Sequence, residues 1–229
     1  DLARILRDWD FTDDPEKAWP HVFQAVYRSF ALQVFEDDLG PDNVLLLLKN
    51  WYFWQERLER MILGKDRFWM DDTRTTDRIE TLDDLFLRAG LQAKRDLTSL
   101  LGNDPRQWRW GKIHTLELVN PILRTGPLKT LLGSGPMAMG GSGETLYRGI
   151  YDFSKPFAVT TCASLRMAVD FSDPDKIPAV LPGGVAGRTF HPHQKDQVDD
   201  FMSGEKRFWW FSDQRSEEHT SELQSRQSI

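Results

Sequence analysis

The spacing of the hydrophobic residues changes part-way along the chain, and this change restricts the possible folds more than any other feature. Up to residue 101, apolar side chains recur every three or four positions, which is the period of an α-helix. From Trp108 onward, short alternating segments are separated by turns rich in glycine and proline, a pattern typical of strands. The sequence therefore predicts an α+β protein, helical in its first half, with short strands and turns in its second.

Two of the predicted helices lie before residue 64. The first follows a cap at Asp14, covers residues 15–39 and stops at Gly40, with Pro20 expected to kink or delay its start. The second covers residues 44–63 and is apolar nearly all round. A helix of that kind is expected to be buried on most sides, so other layers must cover it.

A third helix is predicted after Thr81, which forms a capping pair with Asp84, and it ends at Gly102. The second half predicts shorter elements. These are a strand over 164–171 with Arg166 and Asp170 on one face, a second strand over 179–181 that completes a hairpin, a short helix within 193–202 and a last strand over 207–211.

Composition excludes several classes of protein. The formal net charge is −6, from 29 basic and 35 acidic residues, so no basic surface for nucleic acid or anionic lipid is expected. No run of about 18 apolar residues occurs, and no membrane span is predicted. The single cysteine, Cys162, permits no internal disulfide and is interpreted as a small buried hydrophobe.

The two ends of the sequence have unusual features. The chain begins at Asp1 without methionine and already inside an apolar helical period, which predicts a missing upstream part. Residues 215–225 resemble a translated sequencing adapter, so 215–229 are interpreted as a non-native tail and excluded from fold reasoning. Residues 1–214 are then predicted to be an incomplete fragment of a single domain.

The glycine-rich segment GSGPMAMGGSGETLYRG, residues 133–149, invites a catalytic interpretation that its spacing does not support. A phosphate-binding loop needs lysine where Gly141 stands, and the dinucleotide-binding pattern is absent. A nucleophile elbow needs glycine where Glu144 stands, so Ser142 is interpreted as a turn residue. The segment is expected to be a loop whose glycines allow turns and close packing.

Few other residues suggest chemistry. His191 and His193 flank a proline that holds them extended, and no further His or Cys cluster completes a metal site, so no metal ligands are predicted. His114, expected in a strand, and Arg166 are retained as candidate pocket or site-supporting residues. For Arg166, an ion pair with a neighbouring strand is the simpler expectation.

Five ordered motifs together carry a family resemblance. They are WRWGKIHTL (108–116), GGSGETLYR (140–148), SLRMAVDFSDPD (164–175), VLPGGVAG (180–187) and HPHQKDQ (191–197). In order and spacing, they resemble the C-terminal part of the β-chain of the penicillin acylase, or penicillin amidase, family. The resemblance covers essentially all of 1–214.

The resemblance implies a hydrolase of linear amides with an N-terminal nucleophile. Members of that family are typically exported, autoproteolytic precursors, which implies a periplasmic or secreted location. Their substrates include penicillin-type side-chain amides, in antibiotic biosynthesis, and acyl-homoserine lactones. A serine at the start of the β-chain forms an acyl-enzyme, its own α-amine acts as base, and asparagine and backbone donors hold the oxyanion. The fold implied is the C-terminal portion of a four-layer α-β-β-α sandwich.

The same resemblance places the nucleophile, the oxyanion asparagine and the calcium ligands upstream of Asp1. No catalytic residue and no cofactor are therefore predicted within this chain, which is expected to be inactive alone. Its expected partners are the upstream β-chain, the α-chain and a small acyl-amide substrate. Two alternatives stay open: a non-catalytic helical binding module, and a metal site at His191 and His193.

Overall fold

The fold is described from a computed structural model that covers residues 2–64, 67–120, 125–213, 215 and 217. The helices are α1 (Leu2–Arg7), α2 (Trp19–Lys49), α3 (Gln55–Gly64), α4 (Arg67–Met70), α5 (Leu82–Leu101), α6 (Pro127–Leu132) and α7 (Val198–Ser203). The strands are β1 (Thr115–Leu118), β2 (Ser134–Ala138), β3 (Gly149–Asp152), β4 (Lys155–Cys162), β5 (Arg166–Met167), β6 (Ile177–Val180) and β7 (Arg207–Trp209). This mixture of helices and short strands confirms the α+β prediction.

The chain divides into two compact units. Unit 1 comprises residues 1–117 and 136–161, and unit 2 comprises residues 118–135 and 162–229. Strands β1 and β2 pair with each other, and β3 pairs with β4. Strands β5, β6 and β7 form an antiparallel three-stranded sheet in that order. Most of the predicted non-native tail lies outside the described residues.

The core of unit 1 is formed mainly where α2 packs against α5. Both helices turn an apolar stripe inward, and the rings of Phe30 and Phe86 stack with their centroids 4.2 Å apart. Thr81 and Asp84 form a reciprocal capping box at the start of α5, as predicted, and Gly102 ends the helix. Helix α5 is therefore the element that local sequence signals define best.

The start of α2 differs from the prediction. Residues 14–17 form a turn, in which the Asp14 carboxylate accepts a hydrogen bond of 2.8 Å from the backbone N–H of Glu16. The helix begins only at Trp19, and Pro20 occupies its first turn, where a missing N–H costs nothing. Gly40 interrupts the helix with a φ of 75°, but the chain resumes helical geometry immediately after it.

The predicted helix over 44–63 is wrong as a continuous, buried element. It is broken by a short 3₁₀ turn at Trp51–Phe53, and Asn50 turns its amide back to the carbonyl oxygen of Leu46 over 2.9 Å. The side chains of Leu46 and Tyr52 are 61% and 66% exposed. One side of this segment therefore presents apolar surface to solvent.

A group of charged side chains joins the loop before α5 to the helix itself. Arg88 on α5 contacts the Asp72 carboxylate at 2.7 Å and the Glu80 carboxylate at 2.5 Å. Glu80 is buried, which raises its pKa, but hydrogen bonds from Thr75, the Asp72 N–H, Arg88 and Arg78 outweigh burial and lower the pKa to about 2. The buried carboxylate is therefore kept ionised by these four hydrogen-bond donors.

Unit 2 is built on the predicted hairpin, with shorter strands than expected. The predicted strand over 164–171 is reduced to β5, which is Arg166–Met167. It pairs with β6 in a register that places Arg166 opposite Val180. The predicted last strand is confirmed as β7, which lies at the edge of the sheet. The predicted short helix within 193–202 is confirmed as α7.

Candidate functional site

Unit 1 contains a cavity of about 300 Å³ with largely aromatic walls. Its aromatic lining includes Trp9, Phe23, Tyr27, Trp51, Tyr151 and Phe153. These residues come from the N-terminal segment, from α2, from the 3₁₀ turn and from β3 with the turn that follows it. No short stretch of sequence could therefore have revealed the cavity.

The rings of the cavity lining contact one another in series. Trp9 lies 5.0 Å from Phe23, which stacks on Tyr27 at 5.8 Å. Tyr27 meets Trp51 edge-on at 5.6 Å, and Trp51 stacks on Phe153 at 5.0 Å. These centroid distances are those of favourable aromatic pairs, so the rings form one continuous wall.

Several polar groups interrupt this aromatic wall. The Tyr151 hydroxyl donates a hydrogen bond of 2.6 Å to the amide oxygen of Gln24 on α2. Burial raises the pKa of the Asp13 carboxyl, and a hydrogen bond with Ser142 opposes that effect. Burial, and then the negative charges of Glu59 and Glu144, raise the pKa of Tyr27. The Tyr27 phenol is therefore neutral and lies within the field of two carboxylates.

The glycine-rich segment supplies one side of the cavity through Ser142, Gly143, Glu144 and Thr145. It is only partly the loop that was predicted, because Ser134–Ala138 forms strand β2. Gly141 donates its N–H to the carbonyl oxygen of Asp13 over 2.9 Å, and its own carbonyl accepts from the Trp110 indole. With φ at 73°, a Cβ at Gly141 would lie 1.7 Å from the Tyr147 carbonyl oxygen. Close backbone packing therefore requires glycine here, as the sequence predicted.

His114 is fully buried in unit 1, immediately before strand β1 rather than within it. Its ring stacks on Trp110 with centroids 4.3 Å apart, and Nδ1 lies 2.9 Å from the Phe157 carbonyl oxygen. Burial lowers its pKa to about 4, and the contact with Phe157 opposes this. A Cβ at Gly149 would lie 2.7 Å from Nε2, so packing holds the ring in place. His114 is not among the described residues that line the cavity.

Arg166 lies in unit 2 on strand β5. Its guanidinium donates a hydrogen bond of 2.6 Å to the Phe201 carbonyl oxygen and lies 3.7 Å from the centroid of the Phe201 ring. The two site-supporting candidates from the sequence thus belong to different units. The cavity residues were not identified from the sequence, although the four-residue spacing of Phe23 and Tyr27 on one helix was visible.

The remaining candidates are arranged for structural contacts. His193 contacts Asp196 at 3.0 Å, and His191 accepts from the His193 backbone N–H at 3.1 Å. Over the described ranges, no group of three or more His, Cys, Asp or Glu side chains could hold a metal ion. Cys162 is half-buried, and burial raises the pKa of its thiol, which disfavours the reactive thiolate.

The described part of the chain shows no Ser, Thr or Cys side chain hydrogen-bonded to a histidine. Such a pair is the usual geometric sign of an activated nucleophile. Ser142 is instead buried and lies beside the Asp13 carboxylate. The cavity of unit 1 combines aromatic walls with several carboxylates. No helix within the described ranges is long and apolar enough to cross a membrane.

Comparison with known proteins agrees with the family resemblance. Residues 1–218 match the penicillin amidase family, which is nearly the whole chain. The chain belongs to the penicillin amidase family. This is a family of acylases that hydrolyse amide bonds, in accordance with the interpretation of the five sequence motifs.

Similar curated proteins carry the name acyl-homoserine lactone acylase QuiP. The one from Pseudomonas aeruginosa is 28% identical over 205 residues, which cover 79% of this chain and 24% of that protein. The one from Pseudomonas putida is 28% identical over 208 residues, which cover 89% of this chain and 25% of that protein. The one from Pseudomonas fluorescens strain Pf-5 is 24% identical over 188 residues, which cover 80% of this chain and 22% of that protein. This chain thus spans about a quarter of the length of these relatives.

Proposed function

We propose that this chain is the C-terminal part of an acylase that hydrolyses a linear amide bond. The match to the penicillin amidase family over residues 1–218 carries this proposal. The acyl-homoserine lactone acylases that the chain resembles support the same reaction class. The acyl group transferred is either that of an acyl-homoserine lactone or a penicillin-type side chain.

The chemical step is proposed to use a serine at the N-terminus of a mature β-chain, outside residues 1–229. Its hydroxyl oxygen attacks the amide carbonyl carbon while its own α-amine takes the proton. The C–N bond then breaks, the amine leaves with that proton, and water hydrolyses the acyl-serine ester.

The contribution of the chain itself is proposed to be structural. The buried side chains of Trp110 and His114 fix the glycine-rich turn against the N-terminal segment, and α2 with α5 provides a rigid base. The proposed partners are the upstream β-chain and the α-chain of the same autoproteolytic precursor, and calcium is bound by residues outside this chain. The proposed location is periplasmic or secreted.

The experiment compares the whole polypeptide that carries this chain with residues 1–229 expressed alone. Both are incubated with a series of acyl-homoserine lactones and with benzylpenicillin, and the released amine is quantified by mass spectrometry. The whole polypeptide is expected to hydrolyse at least one substrate, and a variant with its mature N-terminal serine replaced by alanine is expected to be inactive. Residues 1–229 alone are expected to release no amine.

Two results would contradict the proposal. Turnover by residues 1–229 alone would place a nucleophile within this chain. A folded whole polypeptide that binds these amides without hydrolysing any of them would favour the alternative of a non-catalytic binding module.

A further inference from the structure

We propose that the aromatic cavity of unit 1 binds a small hydrophobic ammonium ion, that is, a protonated amine attached to an aryl or alkyl body. The inference rests on the size, the aromatic walls and the acidic lining of the cavity. It does not depend on the amide hydrolysis proposed above, because the nucleophile proposed there lies outside residues 1–229.

The walls of the cavity suit an apolar body that carries a positive charge. At about 300 Å³ the cavity is at the small end of ligand-binding sites, large enough for a single aromatic ring with a short side chain. The continuous wall from Phe23 through Tyr27 and Trp51 to Phe153 presents ring faces and edges. Aromatic faces are negative and attract ammonium ions, with tryptophan the strongest.

The charged residues of the lining favour a cation over an anion. Four acidic residues line the cavity, namely Asp13, Glu59, Glu144 and Asp152. Among the described residues of the lining, only Lys49 is basic. Glu59, Glu144 and Lys49 are exposed, whereas Asp13 is partly buried and therefore interacts with a ligand through less water. A carboxylate ligand would meet like charges on several sides.

Three buried polar atoms in the lining have no hydrogen-bond partner among the described residues. They are Oδ1 of Asp13, the hydroxyl of Tyr27 and Nε1 of Trp51, and the Trp51 residue is only 7% exposed. Buried polar groups are almost always paired in folded proteins, so these three atoms leave unused hydrogen-bonding capacity on residues that line the cavity. The charge of the Asp13 carboxylate would attract an ammonium group in the cavity.

The test uses three probes of matched size and different charge: 2-phenylethylammonium, 2-phenylethanol and phenylacetate. Each is titrated at pH 7 and low salt into the whole polypeptide that carries this chain, and binding is measured by calorimetry. We expect 2-phenylethylammonium to bind at least about tenfold more tightly than 2-phenylethanol, and phenylacetate to bind most weakly.

Asp13→Asn is expected to weaken binding of 2-phenylethylammonium by about tenfold or more. Asp42→Asn, an exposed position on α2 that is not among the described lining residues, is the matched control and is expected to leave binding unchanged. Thermal denaturation establishes that both variants are folded. If Asp13→Asn does not fold, Glu144→Gln at the exposed rim is measured instead and is expected to weaken binding by a smaller factor.

Three results would overturn the proposal. Equal or tighter binding of phenylacetate that is altered in Asp13→Asn would make the cavity a site for acids. Failure of all three probes to bind folded protein would show that other parts of the polypeptide fill the cavity. Unchanged affinity in a folded Asp13→Asn variant would remove the carboxylate from recognition. Phenylacetate is also the acid that hydrolysis of benzylpenicillin would release, so phenylacetate binding that Asp13→Asn leaves unchanged is assigned to the proposed catalytic site and not to the cavity.

Discussion

The indole N–H of Trp110 donates a hydrogen bond of 2.9 Å to the carbonyl oxygen of Gly141. Trp110 is fully buried, and the N–H of Gly141 in turn donates to the Asp13 carbonyl oxygen. Three segments that are distant in sequence are therefore fixed to one another through a single glycine. Since the turn that follows Gly141 lines the aromatic cavity, the shape of the cavity depends on this arrangement.

Gly141→Ala is expected to destabilise the protein by about 3 kcal/mol or more. The new Cβ would lie 1.7 Å from the Tyr147 carbonyl oxygen, at a φ of 73° that non-glycine residues rarely adopt. Gly143→Ala is the matched control, because a Cβ there meets no heavy atom within 4 Å, and a change within about 0.5 kcal/mol is expected. Urea denaturation of both variants measures the difference, and equal stabilities would show that the turn is not packed as described.

Arg88→Gln is expected to lower the Tm by about 5 °C or more, because it leaves the carboxylates of Asp72 and Glu80 without their shared cation. The exposed pair of Arg60 with Glu56 provides the comparison, since water already solvates both groups. Arg60→Gln is expected to change the Tm by no more than about 2 °C. Calorimetric scans of both variants test this, and similar small shifts would mean that the loop before α5 reorganises around the lost charge.

Helix α5 shows what the sequence could predict, and the cavity shows what it could not. Thr81 and Asp84 lie within one helical turn, and the apolar stripe lies along one helix. Both signals therefore predict a helix without any knowledge of tertiary structure. The start of α2 was misplaced because Pro15 and Pro20 both satisfy the local rule for a first turn, and only the three-dimensional context selects Pro20. The cavity wall brings Trp9 against Phe23 and Trp51 against Phe153, and pairs so distant leave no periodic signal.

The free energy of unfolding is expected to fall as the pH is lowered from about 6.5 towards 4.5. Burial lowers the pKa of His21 to about 3 and that of His114 to about 4, whereas unfolded histidine titrates near 6.5. Between these values the unfolded state binds more protons, so stability rises with pH and is lost on acidification. Each histidine contributes up to about 1.4 kcal/mol per pH unit in this window.

Urea denaturation at pH 7 and pH 5 measures this dependence on pH. Asp13 and Asp38 have raised pKa values and act in the opposite direction, so the informative quantity is the difference between a variant and the original protein. His114→Gln is expected to flatten the slope. His191→Gln, at an exposed position, is expected to change the stability at pH 7 by no more than about 0.5 kcal/mol. A slope that is identical in His114→Gln would contradict a neutral, buried His114.

Under the proposed function, Arg166→Ala is expected to reduce the stability or maturation of the proposed acylase more than its intrinsic turnover. The substitution removes a hydrogen bond to the Phe201 carbonyl oxygen and the contact with the Phe201 ring, a loss of roughly 1–3 kcal/mol. Arg188→Ala, at an exposed position in the same unit, is the control and is expected to change neither property. Thermal denaturation and kcat are measured on mature enzyme. Unchanged thermal stability with a large fall in kcat would instead place Arg166 at the site of the reaction, because loss of a purely structural contact cannot slow the chemical step without loosening the fold.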